Sequence, residues 1–480
     1  MHKLIKAINI LEKCEATSSR NSKSEYLESG ENNRYLKKIF VLATELGVTY
    51  GIKIGKKEYE SIKNLKPFLS PSQSFKSLIS ITKKLRYREV TGDEANTKVI
   101  KFLSHIPPKF RKWACRVINR KLDIGLQRAT FSSIWEDLVC DFGTPLANNI
   151  TNSKTKVIEW DRITFPCYGN PKVDGVNLSL PFKGKIPLDF VPEDIKHPCL
   201  TRGVNHYPMV EKLHKIVKKH AAKDMFICSE AYANWTKKEK LKYKSPWSKA
   251  MSLLKTGMTP VGFKKELITK EHQKEFDRDF VLYLFEYGKN TFYSSDHDYT
   301  DITPKNKRRK LMKELVKKIN HPNIKIMPCI VLHNKKEALA YYKKCLSEGY
   351  EGIMLKDMNA PLINGRNDFM LKLKPEIDLD GIIVSILKGN GRNSKWAGSM
   401  KIYLPKYQSV PSCSVRTDLQ RNDFWKRRKE LIGVPAEFKA QKEPKGASVS
   451  DSRFIIFKRL REDLKKMAPT KISRLVGKHG

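Results

Sequence analysis

Lys172 lies in Pro171-Lys172-Val173-Asp174-Gly175, just after residues 163–170, which read as a strand entering a turn. A lysine held at such a point can attack a phosphorus atom. Attack requires the free amine, and an exposed lysine keeps its proton up to a pKa of about 10.4. Lowering that to about 8 takes roughly 3 kcal/mol, which burial and neighbouring cations supply. In a lysine-rich chain Lys-x-Asp-Gly alone is a weak signal, so the chemistry depends on the residues downstream of it.

Those residues form an ordered set: Thr201-Arg202-Gly203, Ser229-Glu230-Ala231, Leu284-Phe285-Glu286-Tyr287, Glu351-Gly352-Ile353-Met354-Leu355-Lys356, Leu371-Lys372-Leu373-Lys374 and Arg459-Leu460-Arg461-Glu462-Asp463. A guanidinium forks onto two phosphate oxygens, and a flat ring matches the face of a base. Lys372 and Lys374 alternate along one strand and share a face, with Leu373 pointing into the core. This order and spacing resembles the covalent nucleotidyltransferases: ATP-dependent DNA ligases, RNA ligases and mRNA capping enzymes. It is most similar to the bacteriophage ATP-dependent DNA ligases of the T-even type. The likeness includes Cys115-Arg116-Val117-Ile118-Asn119-Arg120-Lys121-Leu122-Asp123-Ile124-Gly125 and covers most of the chain, weakest in the first ninety residues and around 405–450.

The resemblance implies a role for each residue. Lys172 is the nucleophile that becomes lysyl-AMP. Lys372 and Lys374 converge on the α-phosphate and depress the nucleophile's proton affinity. Arg202 clamps the AMP phosphate, Phe285 stacks on adenine and Asn170 reads the adenine edge. Glu230 accepts from the ribose hydroxyls or holds a metal-bound water, and Glu351 binds Mg²⁺ or neutralises the lysine as it ionises; Lys356 ends the Glu351 segment and joins the nucleotide-binding set. Arg461 orients the pyrophosphate leaving group. Three positions depart from the family pattern: Asn177 stands where an arginine is expected, Ser229 where a glycine is, and Leu464 where a lysine is. An asparagine brings no charge, so either another cation compensates or nucleotide handling differs.

With 480 residues the chain has room for about three domains. Its 93 Lys+Arg against 51 Asp+Glu give a net charge of +42, which suits a polyanionic partner: nucleic acid first, an anionic membrane second. No run of eighteen apolar residues offers a membrane span, and the amino terminus lacks a signal-like apolar region. The nine cysteines are dispersed, with no Cys-x-x-Cys pair, which reads as reduced thiols in a cytoplasmic setting (the host's, for a phage protein). It also counts against the four-cysteine zinc module of NAD-dependent bacterial ligases.

The expected architecture is multidomain. Residues 1–155 read as an all-α DNA-binding domain, 156–378 as an α+β nucleotidyltransferase (adenylation) domain with antiparallel sheets, and 379–480 as a β-barrel of the OB type. Helical spacing appears over 36–46, 102–118, 209–220 and 308–319, and Ser133-Ile134-Trp135-Glu136 has the form of a capping box. Strands are expected at 176–180, 225–228, 280–285, 352–355, 381–387, 399–404, 436–440 and 454–457, with turns at Gly389-Asn390-Gly391 and Gly446. Residues 148–156 read as a linker. Pro107-Pro108-Lys109-Phe110-Arg111-Lys112-Trp113 interleaves cations and rings, as a surface tracking a phosphate backbone does and equally as a helix with buried rings. The basic stretches 235–244 and 425–429 suit DNA-backbone contacts, and 305–310 suits helix-surface charge better than a nuclear address.

The sequence thus points to an ATP- and Mg²⁺-dependent DNA ligase, a monomer encircling duplex DNA to seal nicks between a 5′-phosphate and a 3′-hydroxyl. The alternatives are an RNA ligase, a capping-type enzyme using GTP, or a basic DNA-binding protein with a decayed transferase core. The likeness at 115–125 favours the DNA ligase, since capping enzymes lack that domain.

Overall fold

The computed structural model describes the chain except residues 1, 46, 63, 127–129, 132–133, 136–137, 139–143, 153–154, 156, 182–198, 203–204, 223–224, 240–241, 244, 260–261, 290–299, 364, 390–392, 416, 441–454, 462, 469 and 475–480. The capping-box positions Ser133 and Glu136, the turns at Asn390-Gly391 and Gly446, the start of the 454–457 strand and part of the 235–244 stretch therefore lie outside the described residues. The chain forms two compact units: Met1–Ile10, Leu27–Leu122 and Gln127–Leu373 in the first, and Leu11–Tyr26, Asp123–Leu126 and Lys374–Gly480 in the second. No described helix is long and apolar enough to cross a membrane.

The amino-terminal part is helical: α1 (Lys3–Ala16), α2 (Arg20–Glu28), α3 (Arg34–Thr44), α4 (Lys56–Ile62), α5 (Pro71–Arg86), α6 (Gly92–His105) and α7 (Pro108–Ile118). Asn33 caps α3 by accepting from the amides of Tyr35 and Leu36, and Ser70 with Gln73 forms a capping box on α5. The helical pattern over 102–118 is two helices, because Pro107 and Pro108 lack the amides to carry one through. On α7 the rings are core: Phe110 and Trp113 are buried, and so is Arg111. The Arg111 guanidinium donates to the carbonyls of Leu103, Ser104, Ile62 and Leu65, closing the ends of α6 and α4. The cation–ring interleaving is thus a packing pattern rather than an exposed surface.

Two sheets come next, built from β1 (Pro145–Asn149), β2 (Cys167–Pro171), β3 (Val176–Pro181), α8 (Glu211–His220), β4 (Met225–Ala233), α9 (Pro246–Lys255), the hairpin β5 (Met258–Thr259) and β6 (Gly262–Phe263), α10 (Lys270–Asp279), β7 (Phe280–Lys289), β8 (Thr300–Asp301), α11 (Lys305–Ile319), β9 (Ile324–Ile326), β10 (Ile330–Leu332), α12 (Lys335–Ser347), β11 (Ile353–Asp357), β12 (Leu362–Ile363) and β13 (Gly365–Leu373). One sheet has the order β1-β13-β11-β2-β10 and the other β3-β4-β7-β9, with β8 and β12 paired separately. The expectation of antiparallel sheets needs correction: β1 pairs with β13, and β7 with β9, in parallel. Strand β1 also takes up Asn148 and Asn149, the start of the stretch read as a linker. The second sheet has two unlike faces. Val176, Leu178, Leu180, Ile227, Ala231, Leu282 and Leu284 share a core with Leu213 and Val217 of α8 and Met312 and Leu315 of α11. The alternation of the strands turns Asn177 and Glu230 to the opposite face.

The second unit contains β14 (Ile377–Lys388), β15 (Ala397–Tyr403), β16 (Ser412–Ser414), α13 (Asp418–Lys426), β17 (Pro435–Ala440) and β18 (Ile456–Leu460). The five strands close into a barrel in the order β14-β15-β16-β18-β17 around Ile383, Met400, Ile402 and Phe438. That crossed order is what a small Greek-key barrel requires.

Candidate active site

Lys172 is the first residue past the end of β2. Its amide donates to the Gly352 carbonyl at 2.8 Å, and its carbonyl accepts from the Glu351 amide at 2.9 Å, so the β2–β11 pairing runs on one step beyond both strands. The Lys172 Nζ donates to the Glu351 carboxylate. Gly352 has φ +140, a region side-chain-bearing residues avoid. Gly175 is required for a different reason. A Cβ there would stand 2.6 Å from the Ala231 carbonyl oxygen and 2.7 Å from Glu230 Cγ, so only glycine lets the turn after Lys172 close onto β4.

Asn170, Lys172, Asn177, Arg202, Glu230, Phe285, Lys356 and Lys372 all line one cavity of about 230 Å³. Asn177 pairs directly with Glu230 across β3 and β4. Its Oδ1 is buried without a hydrogen-bond partner, an acceptor that a bound hydroxyl satisfies. Burial pushes the Glu230 carboxyl up to about 7, with Glu351 adding to the rise and Lys172, Arg202 and Asn177 opposing it. Ser229 is accommodated, since its hydroxyl donates to the Leu178 carbonyl at 2.9 Å. Phe285 sits at a bulge in the β4–β7 ladder, where Cys228 faces Glu286 and Ser229 faces Leu284, leaving Phe285 the extra residue. A bulge re-aims a side chain, and here it turns the ring into the cavity.

Lys356 is buried with its Nζ 4.9 Å from the centre of the Phe285 ring. Burial, then Lys305, lowers its pKa to about 7. Beside it Glu286 accepts from Lys305 Nζ at 2.6 Å and from Arg308 Nε at 3.1 Å. Burial opposes the Glu286 charge, but Lys305, Arg308 and Lys356 outweigh it and hold the carboxyl at about 2.

Two cations meet at one backbone oxygen. Ala147 O on β1 accepts from Arg366 at 2.8 Å and from Lys372 Nζ at 3.3 Å. The ladder skips between Ala147, opposite Asn367, and Asn148, opposite Leu371, which brings residues six apart on β13 to the same point. Arg366 lines the cavity and belongs to none of the sequence motifs. Its even spacing from Lys372 on a strand was the available signal. The cavity wall is completed by Met327, Met354 and Met370. Lys374 comes after the end of β13 and is not among the lining residues. Arg461 belongs to the second unit, at the end of β18, where it pairs with Asp463 at 2.8 Å and Asp380 at 3.7 Å; Glu462 lies outside the described residues.

Glu230 lines the cavity with its carboxyl raised by burial, and Glu351 lies within electrostatic reach of it, so these two carboxylates are the ones that would hold Mg²⁺. The one cluster of three acidic side chains with oxygens within 4.8 Å among the described residues, Glu239, Glu275 and Asp279, is elsewhere. There Lys249 Nζ lies 2.5 Å from Glu239 and 2.8 Å from Asp279 and already supplies the positive charge.

Residues 201–374 match the family model for the ATP dependent DNA ligase domain. The chain is 36% identical to a DNA ligase of Nanoarchaeum equitans over 101 residues, 21% of this chain and 18% of that relative. It is 24% identical over 410 residues to the DNA ligase of Enterobacteria phage T6, covering 79% of this chain and 77% of the phage protein. The match spans less than a fifth of the archaeal relatives' length and most of the phage relative. A solved structure named "Pmar-Lig_PreS3" superposes with a TM-score of 0.71 at 21% identity, over 95% of this chain and 99% of that one, and so shares the fold.

Proposed function

We propose that this chain, which carries an ATP-dependent DNA ligase domain, seals nicks in duplex DNA through its own Lys172. The observation that carries this reading is the convergence of Lys172, Glu230, Phe285 and Lys372 on one cavity, with Glu351 bonded to the nucleophile. The Lys172 nitrogen attacks the α-phosphorus of ATP. A P–N bond forms, the P–O bond to pyrophosphate breaks, and the amine proton passes toward Glu351. AMP is next transferred to the 5′-phosphate at the nick. The adjacent 3′-hydroxyl then attacks that phosphate, forms the phosphodiester bond and expels AMP.

The surrounding residues divide the work. Phe285, backed by Lys356, stacks on adenine, and Asn170, whose Nδ2 donates to the Pro328 carbonyl at 2.6 Å, presents its oxygen to the base edge. Asn177 accepts from ribose. Lys372 and Arg202 stabilise the charge that builds on the transferring phosphoryl group. Arg366 supplies the cation that Asn177 does not. Arg461 orients pyrophosphate. Glu230 and Glu351 would hold Mg²⁺, which when bound neutralises phosphate charge. The helical amino-terminal part binds DNA and the monomer encircles the duplex, with contacts mainly to phosphates, because sealing must ignore sequence.

The test is incubation with ATP or GTP labelled at the α-phosphate, then denaturing electrophoresis. Label from ATP alone should remain on the protein, and on nicked DNA the product should be a sealed strand. A Lys172→Ala protein that still acquires label refutes the nucleophile.

A further inference from the structure

Helices α8 and α11 pack against each other on the sheet face opposite the one that carries Asn177 and Glu230. Their apolar sides are consumed by the core, through Leu213 and Val217 on one and Met312, Leu315 and Ile319 on the other. The basic run 305–310 is divided by this packing. Lys305, Arg308 and Arg309 are buried, while Lys307 and Lys310 face solvent, so the run is not an accessible linear signal.

What remains outside is of one sign. Lys212, Lys215 and Lys219 are exposed on α8, and Lys307, Lys310, Lys313, Lys317 and Lys318 on α11. Among the described residues none of these ammonium groups meets a carboxylate. The two acids on these helices do not relieve them: Glu211 is bonded to His206, and Glu314 stands alone among the α11 lysines. Two other charged helices are mixed in sign, whereas α3, α5 and α7 carry cations and no acid. α10 alternates Lys270-Glu271, Lys274-Glu275 and Asp277-Arg278, and α12 pairs Lys344 with Glu348. Lys212, Lys215, Lys219 and Lys310, Lys313, Lys317 repeat the same i, i+3, i+7 spacing, which sets three charges along one stripe of each helix at steps of roughly 5 Å. Unpaired like charges so placed repel, and they are relieved by a regular linear polyanion.

We propose that this face is a second nucleic-acid site, which holds a duplex segment through its phosphates while the cavity on the other face works on the nick. A bilayer fits less well. Surface-lying helices reach a membrane through apolar side chains, and Leu311, 44% exposed, is the one large apolar group facing out from α11.

The test compares the full chain with a Lys212→Glu, Lys215→Glu, Lys313→Glu, Lys317→Glu variant, using a short un-nicked duplex and native mass spectrometry or sedimentation. The parent should bind two duplexes, the second weakly and with strong salt dependence. The variant should bind one, and the parent's second event should carry a salt slope of at least about 3 to 4, the share expected of these four lysines. Self-adenylation and single-turnover sealing of a short nicked duplex should be unchanged. Sealing of two separate duplexes into one should fall at least tenfold. A matched Lys→Gln variant should give an intermediate loss, separating charge from misfolding. A parent that never exceeds one duplex, or a variant that still binds two, overturns the proposal, as does loss of anionic-vesicle binding with duplex stoichiometry intact. If the parent binds two duplexes through these lysines but seals nothing, it is the reading of the cavity that fails.

Discussion

Lys172 and Glu351, 179 residues apart in the chain, are joined twice: the Glu351 amide donates to the Lys172 carbonyl, and the Lys172 ammonium donates to the Glu351 carboxylate. The carboxylate is therefore a fixed neighbour of the amine. Glu351→Gln keeps the shape and removes the proton acceptor. It should slow formation of the covalent adenylate by about a hundredfold while leaving the unfolding midpoint little changed. Rapid-quench measurement of label transfer from ATP checks this.

Glu230 gives the first step a pH dependence. With a carboxyl raised to about 7, the charged form needed for cation binding is the minor one at pH 6 and the major one at pH 8. At limiting Mg²⁺ the adenylation rate should rise with pH through about 7. Glu230→Gln should flatten the rise and weaken the Mg²⁺ response, which a pH series at two Mg²⁺ concentrations reads directly.

Arg366 and Asn177 should behave as a compensating pair. Arg366→Ala should reduce sealing of nicked DNA by about ten- to a hundredfold, the order expected for a lost phosphate contact. Adding Asn177→Arg to that variant should restore part of the loss. Steady-state rates of the four combinations, arranged as a double-mutant cycle, show whether the two positions couple.

The ring and its buried amine have separable effects. Phe285→Ala should raise the KM for ATP about tenfold, since a base–ring stack is worth about 1–3 kcal/mol. Lys356 binds its proton less readily when folded than when unfolded. The unfolded chain therefore holds the extra proton between about pH 7 and 10, and stability should rise with pH across that window. Lys356→Met should remove the rise, as tracked by urea denaturation at several pH values.

The Glu286 carboxylate has the opposite sign. Held at about 2, it stabilises the fold above the ordinary carboxylate range, and that stability is lost as pH falls from about 4 toward 2. Glu286→Gln leaves Lys305 and Arg308 facing a neutral group and should cost roughly 3–5 kcal/mol, measurable by denaturant titration at pH 7.

The strands and helices around the cavity were legible because each carries its own period: β3, β4 and β7 alternate, and α8 and α11 show apolar residues at helical spacing. Seven polar side chains and one aromatic ring with distinct chemistry marked eight of the cavity residues. Strand β1 was not legible, since Pro145-Leu146-Ala147-Asn148-Asn149 has no alternation and its contribution to the site is a backbone carbonyl. The parallel pairing of β1 with β13 and of β7 with β9 was equally hidden, because local pattern does not record strand direction. The rings of α7 left two readings open for a physical reason: Arg111 is long enough to be buried while its guanidinium closes two helix ends, so a cation beside aromatics does not by itself mark an exposed surface. The displacement of Phe285 by a bulge had no signature at all in Leu284-Phe285-Glu286.

In the first sheet β2, whose end carries the nucleophile, runs between β10 and β11, and β11 in turn needs β13 on its far side. During synthesis, a chain released from the ribosome before residue 372 would hold its lysine in a site lacking Lys372 and the end of β13 that pairs with β1 and β11. Such truncated products should be unable to charge themselves with nucleotide, so a failed translation event would leave behind no half-active protein competing for DNA ends.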